Sequence, residues 1–278
     1  MPDSAGSIPF YYDRRGNRLE GWAATTPPQG GHLLWLRGPG EVAAQVCAAG
    51  PAYRQWQLPA DPGGWTHVLH SPEPAVSSVV RPLLDLLRNV VTLPAPAAVD
   101  VALAVDWYKR PLDGVDPYSW PNSQAGELIF TGKYRYRDAP EPQATAGRTL
   151  AGLICQVIGA HPVLGRAELV LDVPGHDTER VSFGSRLAAT VAVGRGLAMV
   201  RTRARSAYRP ESKNLDRAGR PQALTGQFLV PPEVQGRQVI IVDDVIRSGD
   251  SMSAVAQAAR EAGAAAVSGI CGARTMKG

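Results

Sequence analysis

The sequence predicts an α/β protein: a parallel sheet flanked by helices over residues 96–278, preceded by a smaller N-terminal α/β region over residues 1–95. Three observations predict it. From about residue 145 onward, helical stretches alternate with short apolar runs, the pattern of strands joined by crossover helices. Those runs, AELVLDV (167–173), QVIIV (238–242) and AAAVSGICGA (264–273), are too uniformly apolar for half-exposed strands and too short for helices. Sixteen of the 24 prolines, with 11 of the 29 glycines, punctuate the first 125 positions and cut the elements there short.

In order, FYYDRRGNRLEGW (10–22) reads as a hairpin turning at Arg15, Gly16 and Asn17. HLLWLRG (32–38) reads as a strand, GEVAAQVCAAG (40–50) as a short helix and GWTHVLH (64–70) as a strand. AVSSVVRPLLDLLRNVV (75–91) has the spacing of an amphipathic helix interrupted by Pro82. LPAPAA (93–98) marks the boundary. Beyond it come a helix over 145–160, the strand 167–173, a helix over 182–196 capped by Ser182, and a strand over 197–202. An arginine-rich excursion (203–235) follows, then a strand over 238–242, a helix over 250–262 and a last strand over 264–273. An excursion of that length is unusual as a plain connection and reads as a cover for something.

Composition narrows the function classes. Cys47, Cys155 and Cys271 are far apart and form no CxxC, so neither a disulfide framework nor a zinc ribbon is encoded, and a reducing cytoplasm is the expected setting. No stretch approaches the roughly 20 apolar residues that span a bilayer, and the start lacks a basic segment followed by an apolar one; a soluble, unprocessed chain without membrane contact is expected. Net charge is +4, and of the 29 basic residues only Lys109, Lys133, Lys213 and Lys277 are lysines. Arginine forks onto phosphate oxygens, so a polyanionic small ligand fits and a nucleic-acid partner stays open. No groove-reading motif supports a DNA-binding protein.

The chemistry concentrates in VIIVDDVIRSGDS (239–251). Asp243 and Asp244 stand side by side at the mouth of a buried strand, where mutual repulsion is unfavourable unless a ligand or a cation answers it. In an open parallel sheet, ligands gather beyond the carboxyl ends of the strands. There the turn Arg247, Ser248, Gly249, Asp250 and Ser251 presents hydroxyls and the free N–H groups of a helix start, a setting for a phosphate monoester. Vicinal hydroxyls donating to the two acids, with a phosphate in the turn, describe a sugar phosphate. A bland alternative, a strand ending in Asp before a glycine turn, accounts for VDD alone but not for the whole string. No GxxxxGK[ST] loop occurs, and the acid cluster of a response regulator normally lies near a chain start.

VIIVDDVIRSGDS resembles the 5-phosphoribosyl 1-diphosphate (PRPP) motif of type I phosphoribosyltransferases. The resemblance implies the type I phosphoribosyltransferase fold with a flexible loop and hood, Asp243 and Asp244 on the ribose hydroxyls, and the amides and hydroxyls of Arg247 to Ser251 on the 5-phosphate. ELVLDVPGHDTERVSFGSRLA is similar to ComF-type (competence protein) members, placing Asp172, Val173, Pro174, Gly175 and His176 in a pyrophosphate loop. The excursion and LIFTGKYRYR (128–137) resemble the same group, so the likeness covers about residues 126–278. Departures are visible. There is no N-terminal zinc ribbon, Arg247 stands where 6-oxopurine transferases carry an Asp base, the chain starts Met-Pro where amidotransferase members have a cysteine, and Asp250 puts a carboxylate in the phosphate turn.

The implied activity is transfer of phosphoribose from PRPP to a nitrogenous base, with Mg2+ carried by the substrate rather than ligated by protein side chains. Arg203, Arg205, Arg209 and Lys213 are the candidates for closing over the pyrophosphate, with Arg203 and Lys213 counted with the acids as catalytic. The alternative is a non-catalytic PRPP-binding regulator or DNA-uptake accessory, and a homodimer is compatible with either. RGPGEVAA (37–44) is a helix start rather than a dinucleotide loop, because Pro39 stiffens the turn and Asp61 sits in a Pro/Gly turn. His67 and His70 lack acidic or thiol companions for a metal site. Trp107, Tyr108, Trp120 and Tyr134 are read as packing.

Overall fold

The structure, a computed structural model, describes residues 18–112, 114–116, 118–135, 140–175, 180–205 and 226–276. Its larger sheet has six strands in the order β5-β6-β12-β11-β7-β8. They are β5 (Val91–Thr92), β6 (Val101–Trp107), β7 (Leu169–Asp172), β8 (Ala198–Val200), β11 (Gln238–Ile246) and β12 (Ala266–Arg274). All neighbours run parallel except β5, which pairs antiparallel with β6. Both faces are covered, which explains why the strands read as unbroken apolar runs. Ile240 and Val242 pack on one side with α4 (Pro140–Ala160) and α5 (Phe183–Arg195). On the other side Val239 and Ile241 meet Met252, Val255 and Ala259 of α6 (Asp250–Glu261). Ser182 caps α5 as expected, its side chain accepting from the Ser185 N–H, and Gly196 ends the helix in the left-handed conformation.

The N-terminal region builds a second, antiparallel sheet, β1-β2-β4-β3. Its strands are β1 (Gly21–Thr25), β2 (His32–Arg37), β3 (Arg54–Gln55) and β4 (His67–Ser71), with α1 (Gly40–Ala49) and α2 (Val80–Leu87) packed on it. The turn expected at Arg15 to Asn17 lies outside the described residues; Trp22, expected in that hairpin, instead pairs across to Leu36 of β2. Pro82 does not interrupt a helix. It is the third residue of α2, where its missing N–H falls among those with no intrahelical acceptor. His67 and His70, three apart on β4, alternate to opposite sides of the strand. Among the described residues no group of three or more His, Cys, Asp or Glu could hold a metal, and no helix is long and apolar enough to cross a membrane.

The expected division between residues 95 and 96 falls between β5 and β6, neighbours in the larger sheet. Leu34, Leu36, Leu83 and Leu87 of the N-terminal region share one core with Leu103, Leu150 and Ile154. Through that core runs a buried polar chain. The His161 Nδ1 lies within reach of the Val163 and Leu164 N–H groups and so accepts; its Nε2–H then donates to Gln45 Oε1 at 2.9 Å, and the Gln45 amide donates to the Ala102 carbonyl at 3.1 Å. Burial keeps this imidazole neutral and pushes its pKa from 6.5 down to about 4. The unfolded chain therefore binds a proton that the folded chain refuses between those values. Stability should fall as pH drops from about 6.5 to about 4, by on the order of 3 kcal/mol, and should not depend on this group above that window. Urea titrations at pH 7.5 and 4.5 read the loss, and His161→Asn, which cannot titrate, should shrink the difference between them.

Candidate active site

The site lies where the strands of the larger sheet end unequally. β7 stops at Asp172, paired with Val242, while β11 continues beside β12 through Asp243 to Ile246. The notch so formed opens a cavity of about 620 Å3. The two acids therefore sit inside the strand and not after it: β11 is longer than the expected 238–242, because β12 reaches Arg274 and supplies pairing partners. Alternation along β11 puts Asp244 on the α4–α5 side, and it is only 7% exposed. The Asp243 carboxylate accepts the Asp244 N–H at 2.8 Å. The first turn of α5 closes on both acids from above, and Gly184 permits it. A Cβ there would lie 3.3 Å from Asp243 Oδ1 and 3.4 Å from Asp244 Oδ2.

The charge of the acids is answered by a residue that the sequence reading did not select. Lys133 Nζ donates to Asp244 Oδ1 at 2.8 Å. It belongs to a π-helical turn (Thr131–Arg135) that continues α3 (Gln124–Phe130). Gly132 fixes that turn against the Phe183 ring so closely that a Cβ would overlap it. Burial alone would depress the ammonium, but the Asp244 carboxylate outweighs it, with help from Asp243, and the net effect raises the Lys133 pKa. The available signal was compositional: Lys133 is one of four lysines in a chain that otherwise uses arginine. Its partner, 111 positions away, was invisible.

The turn after β11 lines the same cavity with Arg247, Ser248, Gly249, Asp250 and Ser251. Gly249 has φ +90, which only a residue without a Cβ adopts freely, and it starts α6 without a side-chain cap. The start of α6 thus faces the cavity without a capping side chain from Gly249. Ser248 Oγ donates to Asp250 Oδ2 at 2.6 Å, so the acid inside the turn has an internal donor.

Of the loop after β7, Val173, Pro174 and Gly175 line the cavity and His176 lies outside the described residues. Asp172 does not line it. Its buried carboxylate accepts the Thr202 N–H at 3.0 Å and fastens the end of β8. Arg203 pairs with Leu229 in a two-stranded hairpin, β9 (Arg203–Ala204) with β10 (Phe228–Leu229), is exposed, and does not line the cavity. Arg209 and Lys213 lie outside the described residues. Trp107 and Trp120 are buried packing residues, as expected, and the Trp120 indole donates to the Leu112 and Val115 carbonyls. Tyr108 packs against the core, as expected, and also lines the cavity together with Tyr134, next to the acids. Burial, with Tyr134 second, holds the Tyr108 phenol above its ordinary pKa.

Chemically, the cavity sets two carboxylates beside the start of a helix, with one ammonium paired to the second acid. No family model matches the chain. Among solved structures it is similar to a purine phosphoribosyltransferase from Pyrococcus horikoshii Ot3, at 13% identity and a TM-score of 0.27 over 49% of this chain and 84% of that one. It is also similar to the allosteric regulatory enzyme of purine biosynthesis, at 14% identity and a TM-score of 0.36 over 87% of this chain but only 45% of the other.

Proposed function

We propose that this chain is a phosphoribosyltransferase that binds PRPP and transfers its phosphoribose to a nitrogenous base with release of pyrophosphate. The observation that carries the reading is the unequal ending of β7 and β11, which sets the Asp243–Asp244 pair and the uncapped start of α6 on the same cavity. Two acceptors and one phosphate seat, a few residues apart, match the two ends of a ribose 5-phosphate.

In this reading the acids orient the sugar through its vicinal hydroxyls and the α6 amides hold the 5-phosphate. Tyr108 and Tyr134, which line the same cavity, would offer aromatic surface to an acceptor base. Departure of pyrophosphate leaves a cationic, oxocarbenium-like sugar, so carboxylates close to the ring favour the transition state over the neutral ground state. The protein supplies no covalent step. In this reading Mg2+ would arrive on the diphosphate and would neutralise the leaving group beside Asp243 and Asp244. The acceptor should not be recognised as a 6-oxopurine is, because Arg247 stands at the position of that base. Titration calorimetry with PRPP and Mg2+, followed by a pyrophosphate-release assay against a panel of bases, tests the reading. Base-dependent release is expected; binding without release with any base would make the protein a PRPP-binding regulator, and no binding would remove the site.

A further inference from the structure

Lys133 pairs with a carboxylate that, in this reading, the sugar also uses. Ribose hydroxyls donating to Asp244 would share its charge with the Lys133 ammonium, which donates to Oδ1 at 2.8 Å. We infer, resting on the phosphoribosyl reading, that Lys133 is a displaceable counter-ion. It holds Asp244 while the site is empty and passes to the diphosphate when the sugar takes its place, so that the pocket selects PRPP over ribose phosphates lacking the diphosphate.

Three observations support a mobile head on a fixed base. The backbone is pinned, because Gly132 lies against the Phe183 ring with no room for a side chain. The head is accessible: the Lys133 side chain is 26% exposed, against 10% for its Asp244 partner, and it lines the cavity. A lysine carries its charge on a flexible stem with three rotatable donors, and can swing between acceptors without moving the chain.

Charge bookkeeping gives the direction. The described lining residues carry three carboxylates, Asp243, Asp244 and Asp250, against two cations, Lys133 and Arg247. A polyanion entering that net negative space needs a cation freed to face it. With PRPP, the hydroxyls replace the ammonium at Asp244 and the ammonium gains the diphosphate. With ribose 5-phosphate the hydroxyls make the same demand, but the displaced ammonium gains no anion in return. Exchange favours the first ligand and penalises the second. A purely structural ion pair would treat both alike.

The test is the ratio of affinities for PRPP and ribose 5-phosphate, both with Mg2+, by titration calorimetry on the full chain. Lys133→Met keeps the stem and removes the charge. Its PRPP affinity should fall about ten- to hundredfold, the size of a lost charge-assisted hydrogen bond. Its ribose 5-phosphate affinity should stay within about threefold of the parent or improve, so the ratio collapses. Lys133→Arg keeps the charge and should hold the ratio within about threefold. Equal weakening of both ligands in Lys133→Met, or a collapsed ratio in Lys133→Arg, would overturn the inference and leave the phosphoribosyl reading intact. Failure of the parent protein to bind either ligand would instead sink that reading itself.

Discussion

Replacing Asp243 and Asp244 together by asparagine should abolish detectable PRPP binding, a loss of at least about a hundredfold, while the protein stays folded. The two parts follow from different contacts. An asparagine at 243 can still accept the Asp244 N–H through its amide oxygen, so the internal hydrogen bond survives. An asparagine at 244 leaves Lys133 without its ion pair, but removing two adjacent like charges offsets that loss. Asp244 is buried, but the Lys133 head keeps 26% side-chain exposure and can turn to water, so the net loss of stability should stay below about 3 kcal/mol. Binding loses more, because a neutral amide is a weaker acceptor than a carboxylate and presents an N–H where a hydroxyl must donate. Calorimetry beside a urea titration separates the effects. If the folded double variant bound PRPP like the parent, the acids would not be the sugar site.

The second large effect is expected at Gly126, in the first turn of α3. Helix propensity alone favours alanine there by about 1 kcal/mol. Sterics reverse the sign. A Cβ at 126 would overlap the backbone carbonyl of Tyr108, at the end of β6, and a backbone atom cannot swing aside. The helix is also tied down at that point: Ser123 Oγ accepts the Gly126 N–H at 3.0 Å and donates to the Trp107 carbonyl, while the Ser123 N–H donates to the Tyr108 carbonyl at 3.0 Å. Gly126→Ala must break those bonds or push α3 outward, and should cost about 2 to 3 kcal/mol net. Because the turn bearing Lys133 continues α3, the variant should also weaken PRPP binding about tenfold even where it is fully folded. A Gly126→Ala protein as stable as the parent in urea would show that α3 can retreat freely.

The legible part of this molecule was its local part. The buried strands of β7, β11 and β12, the Ser182 cap and the acid–turn–helix string depend on residues close in sequence, and the chain spells them out. What went unread, or was read into a different place, depends on distance or on a hidden signal. β6, paired with β12 at the middle of the sheet, has an apolar run in VALAVDW, but it follows directly on the proline-rich stretch that reads as a boundary. Pro82 looks like an interruption only until the helix start is known. Asp172 and Arg203 carry the right chemistry, yet one is consumed by the Thr202 amide and the other lies on an exposed hairpin. Lys133 lacks any neighbour in sequence that would mark it. Its role is created by the packing of a glycine beneath a phenylalanine ring 51 positions away.

The core that continues from the antiparallel sheet into the α4 face limits how this protein could have been assembled by recombination. Leu34, Leu36, Leu83 and Leu87 cover one side of the same apolar mass that Leu150 and Ile154 cover from the other, with His161, Gln45 and the Ala102 carbonyl threaded between them. A gene fusion that exchanged residues 1–95 for an unrelated segment would strip that face and strand a buried imidazole. A successful exchange would have to redesign α4 at the same time. Under the phosphoribosyl reading, a change of acceptor would be more readily reached through Lys133 and Tyr134, which line the cavity and are not among the side chains of that shared core.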